Sequence, residues 1–110
     1  MAHDPCPFFV EQRLIDDRVV VRIGGECDAA TLGQLNERLE AAIDQRPHEV
    51  VVDLAEATFV DSLTLGSLAA AAKRMRAIGG SFRVVRADAA EVRRAFEITG
   101  LDTYLLHGRG

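Results

Sequence analysis

The sequence predicts a single α/β domain in which helices pack against a mixed β-sheet. Short runs rich in valine and other apolar residues predict strands, and they alternate with segments in which apolar residues recur every three or four positions, the period of an amphipathic helix. The order of these segments is β-β-α-β-α-β-α, with a candidate final strand. An opening hairpin followed by βαβ units is typical of a mixed sheet. The 110 residues, of mass 12.0 kDa, suffice for one domain with its own core.

The first two strands are predicted at residues 8–15 and 18–23, where β-branched residues are frequent. The Asp-Asp pair at 16–17 suits a tight turn, so the two strands are expected to form a hairpin. The glycine pair at 24–25 is expected to end the second strand.

The first helix is predicted to begin at Asp28, an N-cap residue type, and to end before Pro47. Its apolar face consists of Leu32, Leu35, Leu39 and Ile43. Residues 49–54 then predict a third strand. Its three consecutive valines indicate a strand that is buried on both faces of the sheet.

The second helix is predicted to begin at Asp61, after a connection at residues 55–60, and to end at the glycine pair 79–80. Its apolar positions are Leu65, Leu68, Ala72 and Met75. Residues 81–85 predict the fourth strand.

The third helix is predicted to begin with the capping-box pattern of Asp88 and Glu91 and to end at Gly100. Its inner positions are Val92, Phe96 and Thr99. Residues 101–106 form the candidate last strand.

The composition excludes several function classes. With 13 basic and 17 acidic residues the net charge is −4, which argues against direct binding to nucleic acid or to an anionic membrane surface. The longest uncharged run, residues 62–72, is far shorter than the roughly 20 residues of a membrane-spanning helix. The first residues lack the pattern of an export signal, so we expect a cytoplasmic protein in which Cys6 and Cys27 are reduced.

Motifs for catalysis and for cofactor binding are absent from the sequence. It contains no phosphate-binding glycine loop, no dinucleotide-binding fingerprint and no nucleophile-elbow motif. The three histidines are scattered and do not combine with cysteines or carboxylates at metal-ligand spacing. The sequence therefore predicts a protein that is not an enzyme, with no catalytic residue, no cofactor and no metal.

Four segments carry a resemblance to a known family. A buried strand ending in Asp-Leu is followed by Asp-Ser at a helix start and by Leu-Gly, within residues 50–68. Residues 25–31 read G-E-C-D-A-A-T, the glycine pair 79–80 precedes a strand, and residues 92–101 have the pattern V-x-x-x-F-x-x-x-G-L. In this order the segments resemble a STAS domain, and within that family the bacterial anti-sigma factor antagonists.

The resemblance implies one STAS domain over residues 1–110, with a core at about 8–106. It also implies a mechanism. The unphosphorylated protein would bind an anti-sigma factor, a serine kinase with the histidine-kinase-like ATPase fold, and so release a sigma factor. The kinase would end the binding by phosphorylating Ser62, and a serine phosphatase would reset it.

The resemblance places partner binding at Glu26, Asp28, Asp61, Ser62, Leu63 and Thr64. Local chemistry offers simpler roles for some of these residues, because Asp28 and Asp61 are N-cap types and Glu26 suits a solvated loop. The three acids are equally compatible with a patch for an arginine-bearing partner and with a divalent-metal site. One departure from the family is Leu63-Thr64, where Ser or Thr followed by Gly is usual, so an altered partner or kinase efficiency is expected.

A phosphate on Ser62 is physically compatible with the predicted helix start. With Asp61 as N-cap, Ser62 takes the first helical position, where free backbone N–H groups and the positive end of the helix dipole favour an anion. The phosphate still adds close to two negative charges, which a partner covering this surface would have to desolvate.

A second function class stays open at this point. STAS-like single domains also serve as constant accessory subunits of transport systems, including lipid-transport ATPases, and this role needs no phosphate. Because Leu63-Thr64 departs from the pattern of the anti-sigma factor antagonists, this alternative stays open. The sequence also leaves a homodimer open.

Overall fold

A computed structural model describes residues 7–106, so Cys6 lies outside the described residues. The elements in chain order are β1 Phe9–Ile15, β2 Arg18–Cys27, α1 Leu32–Asp44, β3 Glu49–Val60, α2 Ser62–Ala77, β4 Ser81–Val85, α3 Ala90–Thr99 and α4 Asp102–Leu105. The sheet order is β1-β2-β3-β4, in which β1 is antiparallel to β2 and the other pairs are parallel. The predicted mixed sheet with helices is confirmed.

The helices cover one face of this sheet. Alternate side chains of β2, β3 and β4 join the buried side chains of α1, α2 and α3 in a single apolar cluster. Its largest members include Phe82, Phe96, Ile23, Leu35, Leu39, Leu54, Leu65 and Leu68. Burial of these side chains is the main force that holds α2 and its first turn against the sheet.

The opposite face of the sheet carries ion pairs between side chains of neighbouring strands. Glu49 accepts from Arg18 at 3.0 Å and from Arg83 at 2.9 Å, and Arg22 bonds Glu11 at 2.8 Å. Val51 is buried on this face, while Val50 and Val52 belong to the core cluster. The prediction that the valine run is buried on both faces is therefore confirmed.

The predicted ends of the two central strands, β2 and β3, are wrong. β2 continues through the glycine pair to Cys27, and residues 55–60 extend β3 instead of forming a connection. The reason is that β3 carries two extra residues relative to β2, so that pairing shifts after Arg22↔Asp53 and again after Gly25↔Ala57. Such β-bulges disturb the regular alternation of side chains on which a sequence-based prediction depends. The left-handed φ of +83° at Gly25 also allows the strand to pass through the glycine pair.

Local capping was predicted correctly for one helix start and wrongly for two. Asp61 is the N-cap of α2 as expected. Asp28 does not cap α1, whose N-cap is Thr31, because the Asp28 carboxylate instead closes a turn by accepting from the N–H of Ala30 at 3.0 Å. Asp88 does not cap α3 either, because its N–H is held by the carbonyl of Arg86 at 2.8 Å in a turn and Ala89 takes the N-cap position.

The candidate final strand is also wrong. Gly100 ends α3 with a φ of +76°, as predicted, but the chain then forms the short helix α4. The N–H of Leu105 bonds the carbonyl of Leu101 at 2.8 Å, which fixes a helical turn. Within residues 101–106, Leu106 alone makes a bridge to the sheet, beside Val84.

Candidate functional site

The candidate site lies at the carboxyl ends of β2 and β3. β1 pairs with β2 only as far as Gly24, and β4 pairs with β3 only as far as Asp53. Beyond these points residues 25–27 and 57–60 continue as a two-stranded extension, which leads directly into α2. Glu26, predicted in a loop, lies on this extension, which leads on one strand to the loop with Asp28 and on the other to the helix start with Ser62.

The first turn of α2 is fixed by Asp61. Its carboxylate Oδ1 accepts from the N–H of Thr64 at 2.8 Å, and its carbonyl accepts from the N–H of Leu65 at 3.1 Å. The N–H of Asp61 donates to the carbonyl of Cys27 at 3.1 Å, which ties the helix start to the end of β2. Ser62 therefore occupies the first position of a well-anchored helix, and its side chain is exposed.

Removing the Asp61 cap should destabilise the domain. Asp61→Ala is expected to lower the free energy of unfolding by about 1 kcal/mol because the N–H of Thr64 loses its acceptor, whereas Asp61→Asn should retain most of the stability. Urea unfolding of the three proteins measures the effect. If asparagine destabilises as much as alanine, the charge and not the cap hydrogen bond is the stabilising feature.

Exposed apolar side chains lie on either side of Ser62 in the chain. Leu63 is 53% exposed and Phe59, near the end of β3, is 41% exposed. Phe59 is the register partner of Glu26, which is exposed on β2. We call Glu26, Phe59, Ser62 and Leu63 the Ser62 surface. The sequence did not predict Phe59 at this surface, because residues 55–60 were predicted to form a connection. An aromatic residue two positions before Asp61 is nevertheless a signal that could have identified Phe59 as a contact residue.

Thr64 does not contribute its side chain to this surface. It is only 1% exposed, and within residues 7–106 its hydroxyl has no hydrogen-bond partner. Thr64 thus supports the first turn from beneath, through its backbone N–H and its buried methyl group. The predicted role of Thr64 in partner contact therefore lacks an exposed side chain to perform it.

The two other acidic residues that are predicted to bind the partner, Asp28 and Glu26, differ in their exposure and contacts. Asp28 is half-buried and engaged in its loop, where its N–H donates to the hydroxyl oxygen of Thr31 at 3.0 Å and its carboxylate accepts from Ala30. Glu26 is exposed. Thr31, the last residue of the family-like 25–31 motif, therefore has a structural role in closing this loop.

Asp28 and Asp61 come together around the buried thiol of Cys27. Burial of the thiol, followed by the negative charges of Asp28 and Asp61, raises the pKa of Cys27 from 9.0 to about 12. The thiol is therefore neutral at physiological pH and poorly reactive. Within residues 7–106 no group of three or more histidine, cysteine or acidic side chains is arranged to hold a metal ion.

The raised pKa of Cys27 predicts a specific loss of stability in alkali. The unfolded thiol ionises near its ordinary pKa of 9.0 while the folded one stays protonated to about 12, so the unfolded state binds fewer protons in this range and stability falls as pH rises. The stability advantage of wild type over Cys27→Ala should shrink by about 1.4 kcal/mol between pH 8 and pH 10. Urea unfolding under reducing conditions at both pH values measures the difference. If the stability difference between wild type and Cys27→Ala is the same at both pH values, the buried environment assigned to the Cys27 thiol is wrong.

No helix in the described part of the chain is long and apolar enough to cross a membrane.

Comparison with known proteins agrees with this architecture. A curated anti-sigma-B factor antagonist of Staphylococcus epidermidis is 31% identical over 86 residues, which cover 78% of this chain and 79% of that protein. A crystal structure of an anti-sigma factor antagonist from Mycobacterium paratuberculosis is similar with a TM-score of 0.79 and 30% identity, over 90% of this chain and 83% of that one.

A third similarity concerns the fold alone. The Bacillus cell fate determinant SpoIIAA in its phosphorylated form matches with a TM-score of 0.68 and 22% identity, over 91% of this chain and 89% of that one. In addition, the family model described as "Mlab, STAS domain" matches residues 10–107. Because this match spans most of the chain and agrees with the mixed sheet and its helices, the chain belongs to the STAS domain family.

Proposed function

We propose that this protein is an anti-sigma factor antagonist that binds its anti-sigma factor through the Ser62 surface and thereby releases a sigma factor. The observation that carries the proposal is the exposed Ser62 on an anchored helix start, with the exposed apolar side chains of Phe59 and Leu63 on either side of it in the chain. The two relatives at 30% and 31% identity are anti-sigma factor antagonists. Antagonists regulate by binding, which agrees with the expectation that the chain is not an enzyme.

The proposed switch is phosphorylation of Ser62 by the partner. That partner is an anti-sigma factor with serine kinase activity and a histidine-kinase-like ATPase fold, and a serine phosphatase resets the switch. A phosphate at the first position of α2 meets the N–H groups that lack an intrahelical acceptor and the positive end of the helix dipole. The fold is expected to accept it without rearrangement, as the Bacillus relative keeps this fold in its phosphorylated form.

Electrostatics explains how the phosphate would end binding. The negative charges of Asp61, which directly precedes Ser62, and of Asp28 already act on Cys27, and Glu26 adds an exposed carboxylate. A phosphate brings close to two further charges to the position that the partner must cover. Burying charge without a matching partner group costs several kcal/mol, so the complex is disfavoured although the domain stays folded.

A second candidate function is a constant accessory subunit of a lipid-transport ATPase. The matching family model is described by the name Mlab rather than as an antagonist. Exposed apolar side chains at Phe59 and Leu63 also suit a lasting contact, because the centres of permanent interfaces are rich in apolar surface. In this role the Ser62 surface would bind without a phosphate switch.

Purification of the tagged protein from its own host separates the two functions. Recovery of a small ATP-binding serine kinase, the proposed anti-sigma factor, supports the antagonist. Recovery of a membrane ATPase in constant proportion, whether or not ATP and phosphatase inhibitors are present, contradicts it and favours the transport subunit.

A further inference from the structure

β1 forms one edge of the sheet. Its seven residues, Phe9–Ile15, pair with β2 on one side, and no strand of residues 7–106 pairs with them on the other. Alternate N–H and C=O groups of an edge strand point outward and are available to another strand. Two residues near its end, Leu14 at 62% and Ile15 at 43%, are unusually exposed for apolar side chains.

The sequence of β1 is complementary to itself in antiparallel orientation. Gln12 is the central residue of the strand. When two copies pair about a two-fold axis at Gln12, Glu11 of each copy lies directly opposite Arg13 of the other, which creates two cross-strand pairs of opposite charge. Arg13 is exposed and makes no ion pair within residues 7–106, and Glu11 is exposed with one bond to Arg22. Both side chains are therefore available to a second copy.

Apolar side chains match in the same register. Val10 of each copy lies opposite Leu14 of the other, and Phe9 lies opposite Ile15. Val10 packs at the margin of the core, so the exposed Leu14 would extend the apolar cluster across the interface. The residue that faces its own copy across the axis, Gln12, carries no charge.

Other registers are disfavoured by charge or by burial. A shift of the axis by one residue in either direction places Glu11 against Glu11 or Arg13 against Arg13, and like charges directly opposite each other destabilise a strand pair. A register in which the axis falls between two residues joins the helix-covered face of one copy to the open face of the other. Only the register centred on Gln12 combines opposite charges with continuous faces.

We propose that the protein forms a two-fold homodimer through antiparallel pairing of β1 with β1 about Gln12, which joins the two sheets into one of eight strands. The interface is separate from the Ser62 surface, because β1 ends its pairing at Gly24 and the two-stranded extension begins at Gly25. The proposal does not depend on the function of Ser62. An edge of seven residues is a small interface, so the dimer is expected to form at high concentration and to dissociate on dilution.

Sedimentation equilibrium up to about 1 mM protein tests the dimer. The average mass of the wild type should rise with concentration from 12.0 kDa towards twice that value. Arg13→Glu and Glu11→Arg should each stay monomeric, because each places like charges opposite one another. Arg94→Glu and Glu97→Arg, which make the same charge changes on exposed positions of α3, should dimerise as the wild type does.

The charge pairing also predicts rescue. An equimolar mixture of Arg13→Glu and Glu11→Arg should form a heterodimer, and the protein carrying both substitutions should dimerise with itself. A wild type that stays monomeric at 1 mM overturns the proposal, as does a dimer that neither single substitution weakens. Glu11→Arg also replaces the exposed pair with Arg22 by two like charges opposite each other on β1 and β2, so circular dichroism of each variant must first verify that it is folded.

Discussion

Replacing Ser62 by aspartate is expected to weaken binding to the anti-sigma factor by more than about a hundredfold, whereas Ser62→Ala should bind as tightly as the wild type. Ser62 is exposed at the start of α2, in the middle of the surface that the partner is proposed to cover. A carboxylate buried there without a matching group would cost about 3 kcal/mol or more, which corresponds to that loss of affinity. Alanine introduces no charge and leaves the Asp61 cap intact.

Titration calorimetry with the purified kinase measures these affinities in the absence of ATP. Ser81→Asp is the matched control, since Ser81 is exposed at the start of β4 and the candidate site lies at the opposite ends of the parallel strands. This control should bind like the wild type. Equal affinity of Ser62→Asp and wild type would contradict the electrostatic switch, and a weak Ser62→Ala complex would show that the hydroxyl itself is needed for contact.

The largest loss of stability is expected for Phe96→Ala, at about 3–5 kcal/mol. Phe96 is fully buried on α3 and is among the largest side chains of the core. Its removal leaves a cavity that the strands and helices around it can fill only in part. Since domains of this size are stable by only about 5–15 kcal/mol, the variant should be close to unfolding.

Ile98→Ala is the matched control on the same helix. Ile98 is 74% exposed, so this substitution should change the free energy of unfolding by less than about 0.5 kcal/mol. Guanidinium unfolding of both variants measures the difference. Similar effects of the two substitutions would mean that α3 does not pack on the sheet as described.

The parts of the fold that depend on local chemistry could be predicted from the sequence. Asp61 caps α2 because a carboxylate in extended backbone can accept from the third N–H of a helix. Gly100 ends α3 because the chain takes a left-handed conformation there. The strand at 81–85 was predicted with its observed bounds, β4 Ser81–Val85. Each of these signals lies within a few residues of the feature it determines.

The errors concern features that distant parts of the chain determine. Residues 55–60 form strand only because they pair with β2 through two bulges, and this pairing leaves no regular alternation in the sequence. Asp28 is a residue type that often caps helices, but its carboxylate accepts from the N–H of Ala30 in the loop before α1. Thr31 is the N-cap of α1. Residues 101–106 are apolar enough for a strand, yet they continue as a helical turn after Gly100.

Predictions for the candidate site also failed where distant parts of the chain determine the structure. The family resemblance placed Ser62 and Leu63 in the site, and both are exposed. It also placed Thr64 there, but Thr64 is buried because of how the first turn of α2 packs, which the sequence alone does not specify. Phe59 belongs to the surface because β3 extends to Val60 and pairs Phe59 with Glu26, which the sequence alone does not specify. The approach of Asp28 and Asp61 to Cys27 likewise depends on the parallel pairing of β2 with β3.

The central claim is that Ser62 carries the phosphate that ends partner binding, and phosphosite mapping by mass spectrometry tests it most directly. Wild type and Ser62→Ala are incubated with ATP and lysate of the native host while phosphatases are inhibited. The account predicts one phosphate on Ser62 of the wild type and none on the variant. Absence of phosphate at Ser62 in lysates from several growth states would contradict the account and favour the constant transport subunit. Phosphate at another site in both proteins would contradict the assignment of the switch to Ser62.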